Sequence, residues 1–367
     1  MGKVEEMARK TIFGISPYVP GKPIEEVERE FGVSDCIKLA SNENPLGPSP
    51  KAVAALQEAV TGVNYYPDGN CFYLKRDLAA HLGCGEDQLI IGNGSDEILQ
   101  LIAATFLDPG DEVVYAQPTF SEYEFVSRVM DAVPVAVPVR DDFTHNLQAM
   151  AARITPRTKI IFICNPNNPT GSIVAAEEME LFLRGIPETV LVVVDEAYRE
   201  YVTDPRYPDS MELLKAGHRL IILRTFAKIY GLAGLRIGYG VSGPGTIALI
   251  NRVKEPFNVN LLAQVAARAA LRDTKHLERS REMVIQGRRF LYDSFDRLGL
   301  SYIPTQANFI FVNIKKDSRA VFPALLREGV IVRTGDIFGY PDYIRVTIGT
   351  QEQNQRFLEK LQQVLAM

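Results

Sequence analysis

Three short stretches of this chain, Lys159 to Cys164, Val190 to Val194 and Leu220 to Leu223, carry aliphatic side chains at consecutive positions rather than at every second one. A strand with one wet face alternates. A strand that is apolar on both faces belongs in a parallel sheet with helices packed above and below it. The intervening sequence supplies such helices. Helical periodicity runs through Ala52 to Val60, Tyr73 to Leu82, Ser95 to Phe106 and Ala176 to Leu183, and Leu89 to Ile91 and Val113 to Tyr115 read as further short strands. Strands that alternate with helices predict an α/β domain whose ligands sit at the carboxyl ends of the strands.

The texture changes after about residue 265. Arg268 to Leu298 reads as one long charged helix. Asn308 to Ile314, Val330 to Val332 and Ile344 to Ile348 read as strands, with a helix at Ala320 to Glu328. The expected organisation is an N-terminal arm over 1–35, a large α/β domain over 36–265 with a mostly parallel sheet between helices, and a smaller α+β domain over 266–367.

Bulk properties narrow the function. The 367 residues carry a net charge of −5, and the pI is near 5.6. That balance argues against nucleic acid as the main partner, because phosphate backbones call for a basic face. Met1 to Lys10 shows no apolar signal segment, and no apolar run is long enough to span a bilayer. The four cysteines are scattered without a C-x-x-C pair, so neither a disulfide framework nor a zinc site is expected. The expected setting is the cytoplasm.

Chemistry-bearing residues collect where the apolar strands end. Lys228 follows Leu220 to Leu223 and precedes a glycine-broken loop that ends at Arg236. A partly desolvated lysine has a lowered pKa and a usable nucleophilic amine. Asp195 closes Val190 to Val194, where a buried carboxylate is costly without a partner. Tyr198 follows three residues later. Asn168 lies in the turn Asn165-Pro-Asn-Asn-Pro-Thr-Gly171, and Phe120 follows the strand Val113 to Tyr115. Gly94, Ser95 and Asp96 join a strand to a helix whose first turn would offer free N–H groups to a phosphate. Taken singly, each has an ordinary explanation: helix capping for Ser95 or Asp96, core packing for Phe120, a loop cap for Asp195. Together, a lysine, a carboxylate, a phenol and an amide at one sheet edge point to a pyridoxal phosphate (PLP) site. Asp195 would keep the pyridine nitrogen protonated, Asn168 and Tyr198 would meet the phenolic oxygen, and Thr225, Arg236 and the Gly94 turn would hold the phosphate. Arg345, on an otherwise apolar strand, calls for an anionic partner, either a ligand or a structural carboxylate.

The joint order of these residues resembles the fold-type I PLP aminotransferases, and the histidinol-phosphate aminotransferase subgroup in particular. Ser41-Asn-Glu-Asn-Pro-Leu-Gly, Tyr65-Tyr-Pro-Asp, Phe226-Ala-Lys-Ile-Tyr-Gly-Leu-Ala-Gly-Leu-Arg-Ile-Gly and Ile344-Arg-Val-Thr-Ile-Gly-Thr carry the likeness, which spans about residues 15 to 360. The resemblance implies that Lys228 carries PLP and that Asp195 and Tyr198 assist it. It implies a phosphate cluster of Gly94, Ser95, Asp96, Thr225 and Arg236, with Phe120 stacked on the ring. Tyr66 would reach across a homodimer interface, and Tyr18, Asn308, Arg333 and Arg345 would line the substrate site. The implied reaction is transamination of L-histidinol phosphate with 2-oxoglutarate. The chain departs from the subgroup at Ala227, where a serine is usual. An aromatic aminotransferase, a threonine-phosphate-type decarboxylase and a non-catalytic PLP-binding regulator share the same cofactor set. A regulator of that kind usually adds a DNA-binding domain, for which the arm before residue 35 has no room. A dinucleotide-binding protein is disfavoured because Glu97 replaces the third glycine of G-x-G-x-x-G.

Overall fold

A computed structural model of the chain describes residues 4–17 and 21–366. After a short helix at Ile24–Phe31, the chain enters through the two-residue strand Ile37–Lys38 (β1). The next seven strands are Leu89–Gly92 (β2), Glu112–Gln117 (β3), Val133–Pro138 (β4), Thr158–Cys164 (β5), Leu191–Asp195 (β6), Leu220–Thr225 (β7) and Gly238–Val241 (β8). They form one sheet in the order β2-β8-β7-β6-β5-β3-β4. Strands β3 to β7 run parallel, and β8 is antiparallel to both its neighbours.

The consecutive aliphatics do what the pattern predicts. Ile161, Ile163, Val192, Val194, Leu220 and Ile222 belong to the core on one face of the sheet. The residues between them, Ile160, Phe162, Val193, Ile221 and Leu223, belong to a second core on the other face. Both faces are therefore dry, and the polar ends of the strands are left to build a site.

Two strands of this sheet escaped the sequence reading. Val133–Pro138 holds Pro134 and Pro138, which read against a strand, but β4 is an edge strand, where a missing N–H is tolerated. Gly238–Val241 is short and glycine-rich because a side chain on Gly238 would strike the Ser95 backbone nitrogen at 2.6 Å. The long helix expected over Arg268 to Leu298 is two helices, Leu261–Leu271 and Thr274–Arg297. Asp273 interrupts them and caps the second, accepting from the His276 N–H at 3.4 Å.

The C-terminal third builds a separate sheet from Tyr302–Ile303 (β9), Phe309–Asn313 (β10), Arg333–Thr334 (β12) and Tyr343–Thr347 (β13), in the order β12-β13-β10-β9 and antiparallel throughout. Val330–Ile331 (β11) instead pairs in parallel with β1. The helix Thr274–Arg297 runs between the two sheets. Its Gly287 meets Ile348, its Ser280 hydroxyl accepts from Asn44 Nδ2 at 2.9 Å, and Arg281 donates to Val202 O at 2.6 Å.

Candidate active site

Strand register brings the polar clusters together. Cys164 at the end of β5 pairs with Asp195 at the end of β6, and Asp195 pairs with Leu223 on β7. Adjacent parallel strands thus deliver the Asn165 to Gly171 turn, Asp195 and the Thr225 to Lys228 segment to one edge. A cavity of about 200 Å³ lies there, walled by Ser95, Asp96, Phe120, Asn168, Asp195, Tyr198, Thr225, Ala227, Lys228, Arg236, Arg333 and Arg345. Twelve positions scattered over 250 residues of sequence converge on it.

The Lys228 amine donates to Ser41 O at 3.2 Å and lies 5.7 Å from the centre of the Tyr198 ring. Burial, reinforced by the Arg345 guanidinium, lowers its pKa to about 8. A usable fraction of free base is therefore present near neutral pH. Asp195 is buried. Tyr123 Oη donates to its Oδ2 at 2.8 Å and the Ala197 N–H to its Oδ1 at 3.2 Å. Among the described residues it has no ion-pair partner, and burial pushes its pKa up to about 6 despite the Tyr123 hydrogen bond. Tyr198 is buried and receives a hydrogen bond from Asn42 Nδ2 at 3.0 Å. Burial raises its pKa, against the opposing pull of Arg345 and the Asn42 hydrogen bond.

The opposite end of the cavity suits an anion. The helix Ser95–Phe106 starts there with Gly94 at φ +84° and no side chain capping its first turn. Arg236 covers that turn, and its guanidinium donates to Asp96 at 2.9 Å. A Cβ on residue 94 would stand 2.7 Å from the same guanidinium, so only glycine lets the arginine approach. The Thr225 hydroxyl accepts from the Ala227 N–H at 3.0 Å, which fixes the turn into Lys228.

The Asn168 turn is held from several sides. Thr119 Oγ1 donates to Asn167 Oδ1 at 2.7 Å, and Asn167 Nδ2 donates to Pro118 O at 3.0 Å. Gly171, at φ +73°, lies against Thr305, where any Cβ would fall 1.9 Å from the threonine hydroxyl. Arg345 donates to Asn168 Oδ1, and to Ala40 O at 2.7 Å. Arg333 and Arg345 are direct cross-strand partners on β12 and β13. Both line the cavity.

Asn308 and Tyr66, both expected at the site, stand apart from the cavity wall. Asn308 is buried behind it, with its Nδ2 donating to Asn42 O at 3.0 Å, so its contact is with the loop that carries Asn42 rather than with the cavity. Tyr66 is 83% exposed and stacks on Phe257 at 4.8 Å, outside this chain's own cavity. Tyr18 lies outside the described residues. Conversely, Tyr123, Asn42 and Ser41 touch the principal groups without having been assigned a role. Tyr123 follows Phe120 by three positions, in the first turn of the helix Glu122–Val129, which is the one local signal that it could reach the same place.

These residues fit PLP. A buried carboxylate without a cation suits a protonated ring nitrogen, an uncapped helix start beside an arginine suits a phosphate, and a lysine of lowered pKa suits an aldehyde. Phe120, which lines the cavity, offers a flat face.

Comparison with known proteins places this geometry. The family model "Aminotransferase class I and II" matches residues 34–361. A histidinol-phosphate aminotransferase of Moorella thermoacetica is 61% identical over 359 residues, covering 98% of this chain and 93% of the relative. One from Caldicellulosiruptor saccharolyticus is 49% identical, covering 98% and 100%. Among solved structures, a histidinol-phosphate aminotransferase from Sinorhizobium meliloti in complex with pyridoxal-5'-phosphate superposes with a TM-score of 0.90 at 29% identity, covering 97% of each chain.

Proposed function

This chain belongs to the class I and II aminotransferase family, and from that premise we propose that it transfers the amino group of L-histidinol phosphate to 2-oxoglutarate, with PLP held at Lys228. PLP, when bound, supplies an aldehyde that captures the donor's amino group and a ring that accepts the electron pair left as Cα loses its proton. Lys228 then holds and returns that proton, a task suited to an amine with a pKa of about 8. Asp195 keeps the ring nitrogen protonated, and Tyr123 and the Ala197 N–H orient its two oxygens. Asn168 and Tyr198 would meet the phenolic oxygen, and Asn42 and Arg345 fix their positions. Ser95, Asp96, Thr225 and Arg236 surround the phosphate end.

The observation that carries the choice of substrate is the Arg333–Arg345 pair at the wall of the Lys228 cavity. Histidinol phosphate has no carboxylate, and its phosphate dianion can be shared by both guanidiniums. The same pair can take a carboxylate of 2-oxoglutarate in the second half of the cycle. The relatives in Moorella thermoacetica and Caldicellulosiruptor saccharolyticus bear the corresponding name.

An aromatic aminotransferase is the second reading, favoured by the aromatic side chains Phe120, Phe125 and Phe338 in a pocket next to the cavity. The test is the half-reaction followed through the visible absorption of the bound cofactor. Rapid loss at low L-histidinol phosphate with slow loss at equal L-phenylalanine supports the first reading, and the reverse ranking supports the second.

The functional unit in this reading is a cytoplasmic homodimer. Among the described residues no helix is long and apolar enough to cross a membrane. Tyr65, Tyr66, Phe72, Tyr73 and Phe257 are all exposed, which a dimer would bury. Tyr66 would then serve the partner's phosphate site. Equilibrium sedimentation tests the assembly. In the same reading the chain divides into an arm over 1–35, a cofactor domain over 36–265 and a small domain over 266–367.

A further inference from the structure

A second cavity of about 440 Å³ opens off the first, with Phe120, Asn168, Arg333 and Arg345 shared between them. Its remaining wall combines aromatic side chains with the segment Gly14 to Pro17 and the start of the helix Glu122–Val129. That segment is tied down at Thr11, whose hydroxyl donates to Arg128 O at 2.8 Å.

The acidic groups around the two cavities are not equivalent. Asp96 is paired with Arg236, Glu124 accepts from Arg128 Nε at 2.7 Å, and Asp195 holds two donors. Glu122 is half-buried in the second cavity and, among the described residues, has no hydrogen bond or ion pair. A glutamate in the first turn of a helix is favoured by the partial positive charge there. That preference is met equally well with the side chain in water, so it does not account for a half-buried, unpaired carboxyl on the wall of a cavity that Phe120, Phe125 and Phe338 also line.

We infer that Glu122 is the specificity group for the substrate's ring, binding an imidazole N–H in the aromatic cavity and thereby selecting imidazole over phenyl. The inference rests on the functional reading above. With the substrate's anion at Arg333 and Arg345 and its amino carbon at Lys228, the remaining arm is the flat ring, and the second cavity is the space that opens off the Lys228 cavity beside the same two arginines. The Phe side chains there would receive any planar ring and so do not discriminate. Unlike Glu124, which is paired with Arg128, Glu122 supplies a carboxyl with no partner among the described residues, which a phenyl ring cannot satisfy. Burial, with Asp96 nearby, raises its pKa to about 7. The carboxyl can therefore accept from a ring N–H or donate to the ring's bare nitrogen, matching either form of an imidazole that titrates near the same pH. A site built to bond an N–H rejects the analogue that lacks it, because its own polar group is left unpaired.

The experiment compares kcat/KM for L-histidinol phosphate and L-phenylalanine in wild type, Glu122→Gln and Glu122→Ala, each loaded with PLP. The expected result is a fall of about tenfold or more in the histidinol phosphate to phenylalanine ratio for Glu122→Ala. Glu122→Gln, which keeps an oxygen acceptor and an N–H donor, should lose less. A purely structural role would lower both substrates together and leave the ratio alone. If wild type turns over histidinol phosphate and the ratio stays within about twofold in Glu122→Ala, this assignment is overturned and the functional reading stands. If wild type fails on histidinol phosphate, both fall.

Discussion

Replacing Tyr123 with phenylalanine removes one hydroxyl from the surroundings of Asp195 and leaves the ring that stacks on Phe162 at 4.6 Å. The Asp195 carboxyl already sits at about 6 because burial outweighs its two hydrogen bonds. Losing a donor to a buried carboxylate costs about 1.5 to 3 kcal/mol, and about 1.4 kcal/mol corresponds to one pH unit. The pH midpoint at which the empty site becomes ionised should therefore rise by about 1 to 2 pH units. The direction is fixed by linkage. PLP with a protonated ring nitrogen needs Asp195 as the anion, so affinity is lost as pH falls through the carboxyl's pKa. At pH 7 the wild-type group is mostly ionised, whereas in Tyr123→Phe it is half or less, giving PLP affinity about twofold to tenfold weaker. By pH 9 both proteins are fully ionised and their affinities should converge. The assay is PLP titration of the apo-protein at pH 6, 7, 8 and 9, read by absorbance or quenching. Equal pH profiles for the two proteins, or a deficit that persists unchanged at pH 9, would refute the argument that Tyr123 acts through the ionisation of Asp195.

Three further outcomes are expected. Ala227→Ser places a hydroxyl on the cavity wall and should slow PLP loss on dialysis by about fivefold, the equivalent of roughly 1 kcal/mol; an unchanged rate would show that the missing hydroxyl is of no consequence. Gly94→Ala strains a φ of +84° and crowds the Arg236 guanidinium at 2.7 Å, so the PLP dissociation constant should rise by about tenfold or more, given the loss of a charged hydrogen bond. The control is the thermal midpoint, which reports whether the variant is folded. Lys228→Met should change how apo-protein stability depends on pH. The unfolded chain's lysine titrates near 10.5 and the folded one near 8, so the unfolded state binds the extra proton between those values. Wild-type stability therefore carries the full cost of the buried charge below pH 8 and recovers it as pH rises toward 10.5. Lys228→Met lacks this rise and should be more stable at pH 7 by about 1 to 3 kcal/mol in urea denaturation.

What could be read from the chain, and what could not, follows from the range of the interactions. The strands β5, β6 and β7 were legible because burial on both faces imposes a local rule, consecutive aliphatics, that the solvent enforces at every residue. Their polar ends were legible for the same reason, since Asp195 closes one run of aliphatics and Lys228 follows another. The edge strand Val133–Pro138 was not, because its prolines are harmless only when no further strand bonds to that side. The break at Asp273 was written as a cap ahead of Thr274, but helical periodicity on both sides masked it. Tyr123 and Asn42 were missed because their roles exist only across the fold: their partners, Asp195 and Tyr198, are 72 and 156 residues away. Asn308 shows the converse. Its Nδ2 donates to a backbone carbonyl of the Asn42 loop, a contact that a residue-by-residue reading cannot distinguish from ligand binding. The opposed arginines Arg333 and Arg345 could each be found in sequence, but their pairing depends on the β12–β13 register.

The most direct test of the central claim is to locate the cofactor on the chain. Holoenzyme treated with borohydride and digested should yield a single phosphopyridoxyl-labelled peptide, with the label on Lys228. Prior incubation with L-histidinol phosphate should abolish the labelling by discharging that lysine. Label on any other lysine, or on Lys228 but indifferent to histidinol phosphate, would contradict the account of this cavity as the transamination site.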